Sequence, residues 1–163
     1  MTKIIFSLFT LLLLYPSYAE DISIEKPYVR EVPPGQMNSA SFLTINNTSE
    51  KDIALIKASS DVAKNVELHE HVHDAGMMKM RQVNQINIEA KGTTVLKPGG
   101  YHVMLIGLTR KIKSGDIIDL TLEFDNGEKK SVHAEVKKIM QGMMKKGAMK
   151  KMKGMSKSNN TDL

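Results

Sequence analysis

Apolar and polar residues alternate with a period of two along the centre of the chain, in short runs of β-strand length. The pattern predicts strands at Ile22–Arg30, Ser39–Asn46, Asp52–Ser59, Asn65–His73, Met77–Val83, Thr93–Leu96, His102–Leu108, Asp116–Phe124 and Lys130–Val136. Turn-forming clusters separate them: Pro33-Pro34-Gly35, Asn46-Asn47, Asp74-Ala75-Gly76, Pro98-Gly99-Gly100, Ser114-Gly115 and Asp125-Asn126-Gly127. Many short strands with regular turns predict an all-β sandwich or barrel. No strong helical period precedes Lys137, and no internal repeat is visible.

Two of these runs carry more than apolar alternation. In the stretch YHVMLIGL, Tyr101, Val103 and Leu105 share one strand face and are expected in the core, while His102, Met104 and Ile106 share the other. In VELHEHVH, Val66, Leu68 and Val72 lie on one face and His69, His71 and His73 on the opposite one. Glu70 interrupts the apolar set, which predicts a strand running towards a sheet edge. The turn signal at Asp74-Ala75-Gly76 folds residues 65–83 into a β-hairpin. A tip at Asp74-Ala75 sets His69 directly across the ladder from Met80, and a one-residue shift keeps them near neighbours.

The two ends of the chain differ from its centre. MTKIIFSLFTLLLLYPSYAE has a basic start, an apolar run from Ile4 to Leu14 and a small-x-small site ending at Ala19. It reads as a secretory signal over residues 1–19, cleaved after Ala19, and the run is too short to span a bilayer comfortably. No cysteine follows the cleavage site, so a lipoprotein anchor is not expected. Residues 20–136 then form one domain, and residues 137–163 a flexible tail rich in Lys, Met and Gly. The formal charge of +5 divides unevenly: Lys3 contributes +1, residues 20–136 carry −3 and residues 137–163 carry +7. The high pI therefore belongs to the tail, and no nucleic-acid partner is inferred from it.

The chain contains no cysteine. Disulfides, blue-copper sites, iron–sulfur clusters and cysteine nucleophiles are thereby excluded, and an exported domain must hold together by its core. Histidine and methionine remain as candidate ligands. If the strand bearing His102 and Met104 approaches the hairpin bearing His69 and Met80, two imidazoles and two thioethers converge. Thioether sulfur is soft and uncharged and suits Cu(I). Zinc would favour carboxylate or thiolate beside histidine, and calcium or magnesium would require oxygen.

The spacing His69-x10-Met80-x21-His102-x-Met104 resembles the signature of the periplasmic PCu(A)C copper chaperones. The stretches VREVPPGQ, VELHEHV, MMKMR, LKPGGYHVMLIGL and GDIIDLTLEF are also similar to that family, from about Ile24 to Val136. The resemblance implies a cupredoxin-like Greek-key β-barrel that binds Cu(I) through His69, Met80, His102 and Met104 and is not an enzyme. It further implies a monomeric periplasmic carrier that delivers copper towards the CuA site of cytochrome c oxidase subunit II, alongside Sco-type proteins.

Other residues extend the picture. His71 and His73 share the strand face of His69 and, with Met78, are candidates for a secondary site, Cu(II) included; the bland alternative is solvated histidines on an exposed strand. Glu70 is read as charged surface or as a partner of an imidazole N–H, and His133 as an ordinary strand histidine. In the tail, Met140, Met143, Met144, Met149, Met152 and Met155 are candidate copper collectors. The alternatives are a basic segment that contacts an acidic partner or membrane, and a solubilising end. The competing functions are copper sequestration without an acceptor and a copper enzyme; the mixed His/Met set disfavours the latter.

Overall fold

A computed structural model describes residues 21–74 and 77–138. The expected signal, residues 1–19, and residues 139–163 of the expected tail, with all six of its candidate methionines, lie outside these residues, as does the side chain of His73. Ten strands form one curled sheet: β1 (Ile22–Arg30), β2 (Asn38–Asn47), β3 (Ile53–Ser59), β4 (Ala63–Asp74), β5 (Met77–Gln82), β6 (Ile86–Ile88), β7 (Thr93–Leu96), β8 (His102–Leu108), β9 (Ile117–Phe124) and β10 (Lys129–Lys137). No helix occurs among the described residues. The fold is all-β and cupredoxin-like. Nine strands match the alternation to within two residues at each end. The tenth, β6, has only three residues and is legible mainly through the partners of Ile86 and Ile88 on β3.

Neighbouring strands run in the order β5-β4-β8-β2-β1-β10-β9-β3-β6, and β7 pairs the second half of β2. All pairs are antiparallel except β1 with β10. The sheet curls until β3 approaches β4, enclosing one core. Val29, Leu43, Ile45, Leu55, Leu68, Val103, Leu105, Leu120, Leu122 and Phe124 fill it. Burial of these apolar faces drives the fold, and the alternation in β9 and β10 shows it directly, with every second side chain buried.

A bulge in β1 positions the site. The β1–β2 register shifts between Glu25 and Tyr28, where Pro27 has no N–H to give to a ladder. The extra residue inverts the facing of the strand. Ile22 points into the core before the bulge and Val29 after it. Tyr28 is thereby turned to the outer face, opposite Phe42 of β2, with ring centroids 5.1 Å apart.

Candidate metal centre

The outer face of β4 and β8 collects the polar chemistry. β4 is paired on both flanks: residues 63–69 pair β8, and residues 69–74 pair β5. His69 belongs to both ladders, opposite His102 on one side and Gln82 on the other. One step along the same face, Glu67 lies opposite Met104. One step the other way, His71 lies opposite Met80. The period of two in each strand and this register gather Glu67, His69, His71, Met80, His102 and Met104 on one face.

The hairpin register corrects the expected His69–Met80 pair. Asp74 pairs with Met77, so the loop falls one residue later than an Asp74-Ala75 tip. A one-residue shift of the tip moves each partner by two, so Met80 faces His71 and stands diagonally from His69. The backbone of His73 pairs with that of Met78. Every described residue of β5 is exposed, and Met80 is 47% exposed. The expectation for Tyr101 is also corrected: Val103 is buried in the core, but Tyr101 precedes the strand and is exposed. In the turn that precedes β8 its carbonyl accepts the Lys97 N–H at 2.9 Å. His133 is an exposed residue of β10, its Nδ1 2.6 Å from Asp119 Oδ1.

His102 anchors the buried end of the cluster at 2% exposure. Its Nδ1 lies 3.0 Å from the Gly100 carbonyl oxygen. A carbonyl only accepts, so Nδ1 carries the hydrogen and Nε2 of the neutral ring keeps its lone pair. The same carbonyl accepts the His71 backbone N–H at 3.3 Å. The turn that presents it is closed by Gly100 N–H to Lys97 O at 3.0 Å, and Gly99 supplies the φ of +82°. Phe42 stands behind His102, with centroids 6.2 Å apart, and Tyr28 stands behind Phe42. Burial pushes the His102 pKa below the ordinary imidazole value. The Gly100 bond opposes this shift, and His71, His69 and Arg30 reinforce it.

His69 is held from the other side. Its Nε2 is 2.7 Å from Glu67 Oε2, so the ring donates to the carboxylate. Its Nδ1 is buried and has no hydrogen-bond partner among the described residues, and the same is true of His71 Nδ1. The ring centroid of His102 lies 5.8 Å from that of His69 and 5.0 Å from that of His71. Buried imidazole nitrogens without partners are uncommon, because the lost hydration is uncompensated. Among the described residues, no three His, Asp or Glu side chains already converge on one point. An ion held here with the side chains as they stand therefore has to draw on the neighbouring thioethers.

Three features of this centre escaped the sequence reading. Glu67, not Glu70, partners the imidazole; the signal was its position two residues before His69, on the same strand face. Glu70 pairs instead with Arg81 across the β4–β5 ladder. The Gly100 carbonyl is likewise two residues before His102. The Phe42–Tyr28 backing has no local signal, because it depends on which strands become neighbours. A cavity of about 570 Å³ lined by Asp21, Thr48, Asp52 and Lys91 lies at the far end of β2 and contains none of these groups.

The family model described as "Putative lipoprotein LpqE-like" matches residues 22–136. The chain belongs to the LpqE-like family. Lxx21020 of Leifsonia xyli subsp. xyli, named a lipoprotein, is 32% identical over 120 residues, covering 73% of this chain and 71% of that protein. RP573 of Rickettsia prowazekii is 33% identical over 100 residues, covering 61% of this chain and 55% of that protein, so the match spans about half of its length. Among solved structures, CuI-DR1885 of Deinococcus radiodurans is 34% identical with a TM-score of 0.64, covering 77% of this chain and 85% of that one. The copper-bound PCuAC domain from PmoF2 shares the fold, with a TM-score of 0.62 at 23% identity over 75% of this chain and 97% of that one. This LpqE-like chain thus shares the fold of that PCuAC domain. The family's description includes "lipoprotein", while none of the 163 residues here is a cysteine.

Proposed function

We propose that this protein is a periplasmic copper chaperone that binds Cu(I) through His69, His102, Met80 and Met104 and releases it by ligand exchange. The observation that carries the reading is the cluster itself. A buried His102 with a free Nε2 and a His69 with an unpartnered Nδ1 are adjacent on one face. Met104 is the next ligand-type residue of β8 on that face, and Met80 is diagonal to His69 on β5. Neutral nitrogen and thioether donors suit a soft monovalent ion. DR1885, whose CuI form has been solved, supports copper as the cargo.

The gradient of exposure suits transfer. His102 is buried, whereas Met80 lies on β5, the edge strand of the sheet. An acceptor's ligands can displace Met80 first and the deeper donors afterwards, so copper never enters bulk water. The acceptor we propose is the CuA site of cytochrome c oxidase subunit II, with a Sco-type protein as the accompanying partner. The apolar N-terminal run and the lipoprotein name borne by the Leifsonia relative support a place outside the cytoplasm. The tail methionines are proposed to collect copper for this centre.

Competition with a Cu(I) chelator tests the ligand set. Met104→Ala should weaken Cu(I) binding about tenfold or more, with little change in melting temperature, because Met104 is only partly buried on the outer face. Wild-type affinity in this variant overturns the assignment. Mixing the Cu(I)-loaded chain with the apo soluble domain of subunit II, then separating the two proteins, tests delivery: copper that stays with the chaperone rejects this acceptor.

A further inference from the structure

His71 is not needed by the four-ligand reading, yet it stands in the same cluster. Its ring stacks on His102 with centroids 5.0 Å apart, and its buried Nδ1 has no partner. Its backbone N–H and the His102 ring share the Gly100 carbonyl as acceptor. Across the β4–β5 ladder its partner is Met80. One register position therefore offers a nitrogen from β4 and a sulfur from β5.

We propose that His71 is a third nitrogen donor at this centre, and that with His69 and His102 it lets the chain hold Cu(II) as well as Cu(I). The inference rests on the copper reading above and extends it to the oxidation states the site accepts. A metal–imidazole bond of ~2.0 Å places each ring centroid ~3.1 Å from the ion, so two rings at a tetrahedral angle stand ~5 Å apart. The observed separations of 5.0 Å and 5.8 Å are of that size. The three nitrogens do not yet meet at one point, so the set closes by side-chain rotation on binding. Cu(II) favours imidazole over thioether, and Cu(I) accepts thioether readily. Exchange of His71 for Met80 and Met104 thus matches the donor set to the charge of the ion without moving the sheet.

The test uses the full chain loaded with copper(II) sulfate in air, with glycine as the competing ligand. His71→Ala and His71→Gln are compared with wild type, the second retaining a polar side chain of similar reach. Both should bind Cu(II) about tenfold more weakly or worse. Electron spin-echo envelope spectra should lose one coordinated imidazole. Cu(I) affinity, measured separately by chelator competition, should stay near the wild-type value, and circular dichroism melting should be unchanged. An unchanged Cu(II) spectrum and affinity in both His71 variants overturns the proposal, as does an equal loss of Cu(I) and Cu(II) binding. Failure of wild type to bind Cu(I) strikes the chaperone reading instead, so the two failures are separable.

Discussion

Glu67→Gln isolates the contribution of a group that holds the proposed ligand His69 without being one itself. Glu67 Oε2 accepts from His69 Nε2 at 2.7 Å, which directs the free lone pair of a neutral ring to the buried Nδ1. Glutamine keeps the size and an acceptor oxygen but removes the charge. A hydrogen bond to a charged group contributes about 1.5–3 kcal/mol. The two side chains are 14% and 29% exposed, so solvent screening moves the effect to the bottom of that range and below it, about 1–2 kcal/mol. At 1.36 kcal/mol per decade this is a loss of about 5- to 30-fold in Cu(I) affinity. The general cost of removing a partner from a metal-bound histidine, about 10–100-fold, overlaps this range. Chelator competition under anaerobic conditions reads the affinity, and thermal melting of the apo protein should move little. Glu70→Gln is the control, because Glu70 pairs with Arg81 and not with an imidazole. Wild-type affinity in Glu67→Gln, or an equal loss in Glu70→Gln, would mean that the Glu67 carboxylate does not support copper binding through His69.

Two further outcomes follow from the surroundings of His102. Phe42 is 3% exposed and lies between Tyr28 and His102, so Phe42→Ala should cost about 3–5 kcal/mol and lower the apo melting temperature by about 10 °C or more; a loss of only a degree or two would mean that the ring is not part of the packed interior. The depressed His102 pKa makes stability depend on pH. Below about 6.5 the unfolded chain protonates this residue while the folded chain resists, so the stability contributed by the neutral ring is present above that pH and is lost as pH falls towards the folded pKa. The apo melting temperature should therefore drop from pH 7 to pH 5.5 more steeply in wild type than in His102→Gln, and parallel curves would contradict the role of His102.

Nine of the ten strands and most of their faces are legible in the amino-acid order alone. Alternation is a local property, so it placed Glu67, His69 and His71 on one side of β4, and His102 and Met104 on one side of β8. The absence of cysteine and the His/Met spacing pointed to a soft ion before any pairing was known. Which strands became neighbours was set by long-range packing. Putting β4 beside β8 brought His69 opposite His102, and putting β8 beside β2 set Phe42 behind the ring. The same long-range pairing gave three-residue β6 its place and exposed Tyr101 at the end of its turn. The position of one hairpin tip moved Met80 from His69 to His71, since each residue of tip shift displaces a cross-strand partner by two. Facing is set within a strand by its pleat. Adjacency and register are set by the burial of a common core, which no single segment encodes.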